Sequence, residues 1–237
     1  MPGSAATPER ERNDMPAEYP RTEENQPSRH PERARYEREV VHTILDEGLF
    51  AHVGFVDDGR PGVLPMLLVR EGEAVYLHGS TGSHLARTAL RLGSLRVAVE
   101  MTLVDELVLA RSTTNHSVNY RSVVVHGDAI PVRDERRKDE LLAALVEKIL
   151  PGRSRDARRP TAQELRQTAV LEVELSNVSA KVRTGDPIDE PEDLEAPCWA
   201  GVLPVRPVWG EPRAAANLDG AIVPPAYLSS GPRVRPA

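Results

Sequence analysis

Cysteine occurs once in the 237 residues, as Cys198. That excludes an intrachain disulfide framework and any C-x-x-C zinc pattern, and it fits a reducing compartment. Basic residues are in deficit: 30 Lys and Arg against 36 Asp and Glu give a formal charge of -6. An acidic chain of this kind has no broad footprint for nucleic acid, so an anionic ligand would need a local site. Long apolar runs are missing too. The start, MPGSAATPERERND, has no hydrophobic signal region, and no later window is long enough to span a bilayer. The expectation is a cytoplasmic protein with no membrane and no nucleic-acid partner. Several chemistries lack their spacing as well. There is no Gly-Lys-Ser/Thr phosphate loop, no G-x-G-x-x-G fingerprint and no G-x-S-x-G elbow. None of H-x-H, H-x-x-x-H or H-E-x-x-H occurs, and there is no internal repeat or heptad.

What is present divides into three parts. Residues 1–35 carry prolines at 2, 8, 16, 20, 27 and 31 among mixed charges, with few large apolar side chains. Such a segment buries too little surface to offset its chain entropy and reads as a disordered arm. Residues 36–210 read as one folded domain, and residues 211–237 as a flexible or docked tail in which Val223–Leu228 offers the docking segment.

In the domain, Val40, Val41, Ile44 and Leu45 share one helical face, with Gly48 as the stop. Three strands joined by short turns follow, at Leu49–Val56, Pro61–Val69 and Ala74–His78. A helix over Leu85–Gly93 takes Ser83 or Thr81 as its cap. Strands then run from Leu95 to Thr102, from Glu106 to Arg111, and from Val118 to Val132 with an interruption near Gly127. Asp134–Leu150 has helical spacing throughout. Thr161-Ala162-Gln163-Glu164 spells a capping box for another short helix. Strands at Ala169–Leu175 and Ser179–Thr184 complete the set. Hairpin-length connections predict a mainly β, α+β fold: a closed or nearly closed antiparallel β-barrel with short helices at its ends, because closure removes exposed strand edges.

Three stretches carry chemistry. HGSTGS, residues 78–83, combines small residues with a helix start, whose unpaired N–H groups and dipole suit a phosphate. Arg87 lies one turn on. A plain capped turn explains the same letters. Pro65 lies inside an apolar strand, where a missing N–H marks an edge, a bulge or a place where a flat ligand replaces a neighbouring strand. NHSVNYRSVVVHG, residues 115–127, brings His116, Tyr120, Arg121, Ser122 and His126 around a valine-rich strand. A histidine cluster of His78, His84, His116 and His126 would suit metal or haem, but the absent spacings weigh against metal. The alternating run Arg133–Glu140 reads as a solvated helix face.

Together these segments resemble the flavin-binding split-barrel superfamily, the pyridoxamine 5'-phosphate oxidase-like proteins, and within it the nitroimidazole-resistance-type branch. The carrying stretches are Gly54–Pro61, Val75–Ser80, Asn119–Val125 and Ser179–Gly185. The resemblance implies an antiparallel split β-barrel with short helices at its ends, and a homodimer with FMN at the subunit interface. Leu64, Pro65, Met66 and Leu67 would lie along the isoalloxazine ring. Leu77, His78, Gly79, Ser80, Ser83, His84 and Arg87 would hold the ribityl phosphate side, with His78 also facing the substrate. Tyr120, Arg121 and Ser122 would approach the cofactor, and Lys181, Arg183 and Trp199 would border the pocket. Two departures matter. His84 stands where the branch places Arg or Lys, which leaves the phosphate charge to Arg87 or to a protonated His84. The C-terminal Arg-x-His pair of true pyridoxamine phosphate oxidases is absent, which turns the reading away from vitamin B6 oxidation.

The function implied is an FMN-dependent oxidoreductase acting on a small conjugated substrate, nitroaromatics among them. NAD(P)H would be the reductant and His78 the proton donor. The competing reading is a non-catalytic flavin or haem binder, with deazaflavin a further cofactor.

Overall fold

The computed structural model describes residues 16–230, and the backbone alone at Ser229 and Ser230. A two-residue strand, β1 (Ala34–Arg35), precedes helix α1 (Arg38–Glu47). Then come β2 (Phe50–Asp57), β3 (Arg60–Glu71), β4 (Ala74–Ser80), α2 (His84–Leu92), β5 (Leu95–Leu109) and β6 (Ser117–Pro131). Helices α3 (Glu135–Ile149), α4 (Arg153–Asp156) and α5 (Ala162–Gln167) lead to β7 (Thr168–Glu174), β8 (Val178–Arg183) and β9 (Gly201–Pro204). No helix among these residues is long and apolar enough to cross a membrane.

All strand pairings are antiparallel, and β2-β3-β4-β7-β6-β5 closes into a ring through β5–β2 and β5–β6 pairing. The side-chain period of two puts Val53, Phe55, Val97, Val99, Met101, Val123 and Val125 inside this ring. Val41, Ile44 and Leu45 of α1 and Leu85 and Ala89 of α2 complete that core. The third large helix does something else. Leu141 and Leu145 of α3 pack on Val69, Tyr76 and Val170, forming a second cluster on the outer wall.

Two strand expectations change. The strands expected at Leu95–Thr102 and Glu106–Arg111 are one strand, β5, with a register shift between Val104 and Glu106. This bulge lets a single chain keep its pairing with β6 while bending. The interruption expected near Gly127 is absent, and β6 runs through it. Glycine is needed there for space: a Cβ at that position would lie 2.9 Å from Val173 Cγ1. The short β1 and β9 had no counterpart in the sequence reading, because two and four residues carry no usable period.

The larger correction concerns the arm. Its first fifteen residues lie outside the described ones, but residues 16–35 pack on the barrel rather than standing free. Tyr19 is only 2% exposed. Its amide donates to Tyr36 O at 2.8 Å, and Arg38 N donates to Ala17 O at 3.0 Å. The Tyr19 hydroxyl donates to Glu73 Oε2 at 2.7 Å and so accepts from His42 Nε2 at 2.8 Å. The Arg38 guanidinium lies 4.1 Å above the Tyr19 ring and also pairs with Glu73. Farther along, buried Asn25 donates to Pro20 O at 2.9 Å, and Thr22 Oγ1 donates to Asn177 Oδ1 at 2.8 Å. One buried aromatic with a satisfied hydroxyl supplies what the composition of the arm lacks. In the tail, Tyr227 donates to Asp156 Oδ2 at 2.5 Å, so part of it docks.

Replacing Tyr19 with Phe keeps the ring and removes the bond to Glu73. It should lower stability by about 1–2 kcal/mol, read as a shift of the urea midpoint with an unchanged slope.

Candidate functional site

The ring is not paired all the way round. β3 meets β4 only where Leu68–Glu71 face Ala74–Leu77. Beyond that, residues Arg60–Leu67 pair with β2 alone, and His78–Ser80 pair with β7 alone. The two strands therefore diverge after Leu68 and Leu77, leaving a cleft whose walls are a free β3 edge and the end of β4. Pro65, opposite His52 in β2, lies on that free edge and has no N–H to leave unpaired. Leu64 and Met66 are half-buried and pack against the core, while Pro65 is exposed and Leu67 joins the cluster under α3. Met66 Cε lies 3.7 Å from where a Cβ on Gly79 would stand, so the glycine sits against the methionine across the divergence.

His78 is the polar group at this point. It is half-buried, and its Nδ1 is a buried atom with no hydrogen-bond partner. Burial lowers its pKa and keeps the imidazole neutral at neutral pH. A buried polar atom with no partner in its own chain calls for one from outside it, a water molecule or a ligand. Leu77, next to it, is fully buried and faces the core instead.

The loop from Gly79 to Ser83 holds itself together. Ser80 Oγ accepts from Gly82 N at 3.1 Å, and Ser83 N donates to Ser80 O at 3.0 Å. Ser83 is the helix cap, its Oγ accepting from Ala86 N at 3.3 Å. His84 turns away to Asp57, with Nε2 and Oδ2 2.5 Å apart, and its ring stands edge-on to Phe55 at 5.6 Å. Thr88 and Arg91 reach the same carboxylate at 3.1 and 3.4 Å. The bond from His84, then those from Thr88 and the nearby charges, hold Asp57 below the usual carboxylate range. Asp57 was not foreseen as part of the site. Its only signal was its place in the Asp57-Asp58-Gly59 turn. Arg87 is exposed and makes no ion pair among the described residues, so it is the cation left for an anion at the start of α2.

The remaining predicted residues lie elsewhere in the chain. In ring order β6 stands opposite β3, so Tyr120, Arg121 and Ser122 are not brought to the cleft of their own chain. Arg121 is committed to two carboxylates, Glu47 at 2.6 and 2.9 Å and Asp105 at 2.7 Å. Asp105 is the residue at the β5 bulge. These bonds hold the Arg121 guanidinium in its charged form, more firmly than an ordinary arginine. Ser122 Oγ donates to Lys181 O at 3.4 Å, and Lys181 Nζ donates to Arg29 O at 2.9 Å. Arg183 is buried against Asn119, whose amide also reaches Glu106 Oε2 at 2.6 Å and Gly185 O at 3.0 Å. Trp199 is 69% exposed. His116 contacts Ser112 O at 2.9 Å, and His126 lies 3.6 Å from Glu24.

The family description "Pyridoxamine 5'-phosphate oxidase" matches residues 37–182, the stretch from α1 through β8. The chain belongs to that family. Among solved structures it is 36% identical to the flavocytochrome Anf3 from Azotobacter vinelandii, with a TM-score of 0.81 and coverage of 89% of this chain and 97% of that one. It is 32% identical to the FAD and heme binding protein from Mycobacterium smegmatis, with a TM-score of 0.79 and coverage of 84% and 97%. A candidate 5-nitroimidazole antibiotic resistance protein from Bacteroides thetaiotaomicron is 17% identical with a TM-score of 0.53, covering 73% and 90%, and shares the fold. No curated protein matches. The split barrel expected from the sequence is thus the fold of this pyridoxamine 5'-phosphate oxidase family member.

Arg121→Ala leaves Glu47 and Asp105 facing each other without a cation. It should cost about 2–4 kcal/mol of stability, seen in thermal or urea unfolding, and Arg121→Lys should recover only part of that because a point charge cannot serve both carboxylates.

Proposed function

We propose that the protein is a flavin-dependent redox protein that also carries a haem, with the isoalloxazine ring along the free edge of β3 and the phosphate side toward the start of α2. The observation that carries this reading is the stretch of β3 from Arg60 to Leu67, which has β2 on one side and no strand on the other, with the buried, unpartnered Nδ1 of His78 on the diverging strand β4. The two relatives above 30% identity support it by their names, a flavocytochrome and a FAD and heme binding protein.

The residues present fit a flat heterocycle with a hydrogen-bonding rim. Backbone groups on an open strand edge need partners, and Leu64 and Met66 offer apolar surface beside them. Bound flavin supplies hydride and single-electron transfer, and haem supplies single-electron transfer. The chain's own part is to orient and to handle protons. Arg87 offers its charge to an anion beside Ser83. His78, neutral through burial, either ligates the haem iron or moves a proton at the cleft. Among the seven histidines it has the only buried ring nitrogen without a partner in the described residues.

We also infer a homodimer. Phe50, Val56 and Val63 are 58, 59 and 64% exposed on neighbouring strands β2 and β3, an apolar face of the kind that marks association. A partner also gives a use to the β6 wall, which lies opposite the cleft in its own chain.

The visible spectrum of the purified protein tests the cofactor assignment. A flavin band and a Soret band are expected, and a protein that takes up neither would remove the proposal. The released nucleotide separates FAD, named for the mycobacterial relative, from FMN, implied by the sequence resemblance. His78→Ala should abolish the Soret band with flavin retained if His78 is the iron ligand. Both bands surviving with at least tenfold slower reoxidation would make it the proton carrier, and loss of flavin would make it a binding residue. Stopped-flow reduction by NADH or NADPH, with a nitroaromatic as one acceptor, separates an enzyme from a binder that does not turn over. For the assembly, Val63→Glu should convert a dimer to a monomer in sedimentation equilibrium and weaken flavin retention.

A further inference from the structure

On the other side of β4 from the cleft, beyond β7, is a cavity of about 280 Å3 to which β3 contributes nothing. Arg133, Lys138 and Arg166 line it together with the hydroxyl-bearing Thr81 and Thr168, and no carboxylate does. In a chain of net charge -6 this is a local reversal of sign. Lys138 is only 8% exposed, and its ammonium donates to Leu165 O, which leaves two of its three donors for another acceptor.

The alternating run from Arg133 to Glu140 reads as neutral, but its partners are sorted. Glu140 pairs with Arg136 and Arg137, Asp139 with Arg159, and Asp134 caps α3. Glu135 acts on Lys138 only at a distance. Among the described residues neither Arg133, Lys138 nor Arg166 has a carboxylate within 4.0 Å. Three cations around one space match a phosphate dianion, since guanidinium forks and an ammonium can share its oxygens; the Thr81 and Thr168 hydroxyls already donate to Gln167 O and Glu164 O. The rest of the lining is apolar, Leu90, Val132 and Val170 among others. A volume near the lower end of small-molecule sites leaves room for a compact organic group there.

We propose that this cavity binds a small phosphomonoester, its phosphate among Arg133, Lys138 and Arg166 and its organic part against Leu90, Val132 and Val170. The proposal does not rest on the redox reading. Calorimetric titration of the purified protein, with its cofactor as isolated, uses AMP as the probe and adenosine as the phosphate-free control. AMP is expected to bind at least tenfold more tightly than adenosine, and less tightly as salt rises. Arg133→Ala and Arg166→Ala should each weaken AMP by about tenfold, with the melting temperature and bound cofactor unchanged. Both arginines are exposed, so these variants test the site without disturbing the buried Lys138. Equal affinity for AMP and adenosine, no heat at millimolar AMP, or full affinity in both variants would overturn it. So would loss of the cofactor in both variants with displacement of AMP by added flavin nucleotide, because the cavity would then be part of the flavin's own phosphate site.

Discussion

The ladder between β3 and β4 stops at Leu68 and Leu77, and the candidate site depends on that stop. Had β3 paired with β4 along its whole length, the ring would be a sealed barrel filled by Val53, Phe55 and Met101, with no cleft. Instead β3 keeps β2 on one side and loses β4 on the other. Closure is then carried by the long pairing of β5 with β6 and by the full β4–β7 pairing. The β6–β7 contact is short as well, two residue pairs, so the ring tolerates its open seam through the long β2–β3, β4–β7 and β5–β6 ladders.

Most of the ring was legible in the sequence because its signals are local. The Thr161 capping box forms as spelled, with Glu164 answering the Thr161 amide. Ser83 caps α2, and the Asp58-Gly59 turn takes the positive φ angles that such a hairpin needs. Pro65 pointed to a free edge because a missing N–H has few places to go in a sheet.

The parts that were not legible depend on residues far apart in the chain. Tyr19 is held by Glu73 and His42, so nothing in the arm's own proline-rich composition announces that it packs. Arg121 looks like a ligand-binding group beside Tyr120 and Ser122. Its commitment to Glu47 and Asp105 requires a bulge in β5, and a bulge has no periodic signature. His84 likewise reads as a phosphate contact until Asp57, from the preceding hairpin, comes within 2.5 Å. For Arg121 and His84 the residue type was read as an interaction with something outside the chain, and the chain itself supplied the partner. His78 is the reverse case: the chain supplies no partner for its Nδ1.

Pro65 also affects how the molecule behaves in a crowd. A bare strand edge is an invitation to a strand from a neighbouring molecule, and repeated acceptance leads to aggregation. A proline midway along that edge removes one of the donors an incoming strand would need and breaks the continuous ladder it would build. A ligand that needs only some of the edge's hydrogen-bonding groups is not excluded in this way. The same imino acid therefore disfavours polymerising β-structure at this edge without closing it to a compact guest.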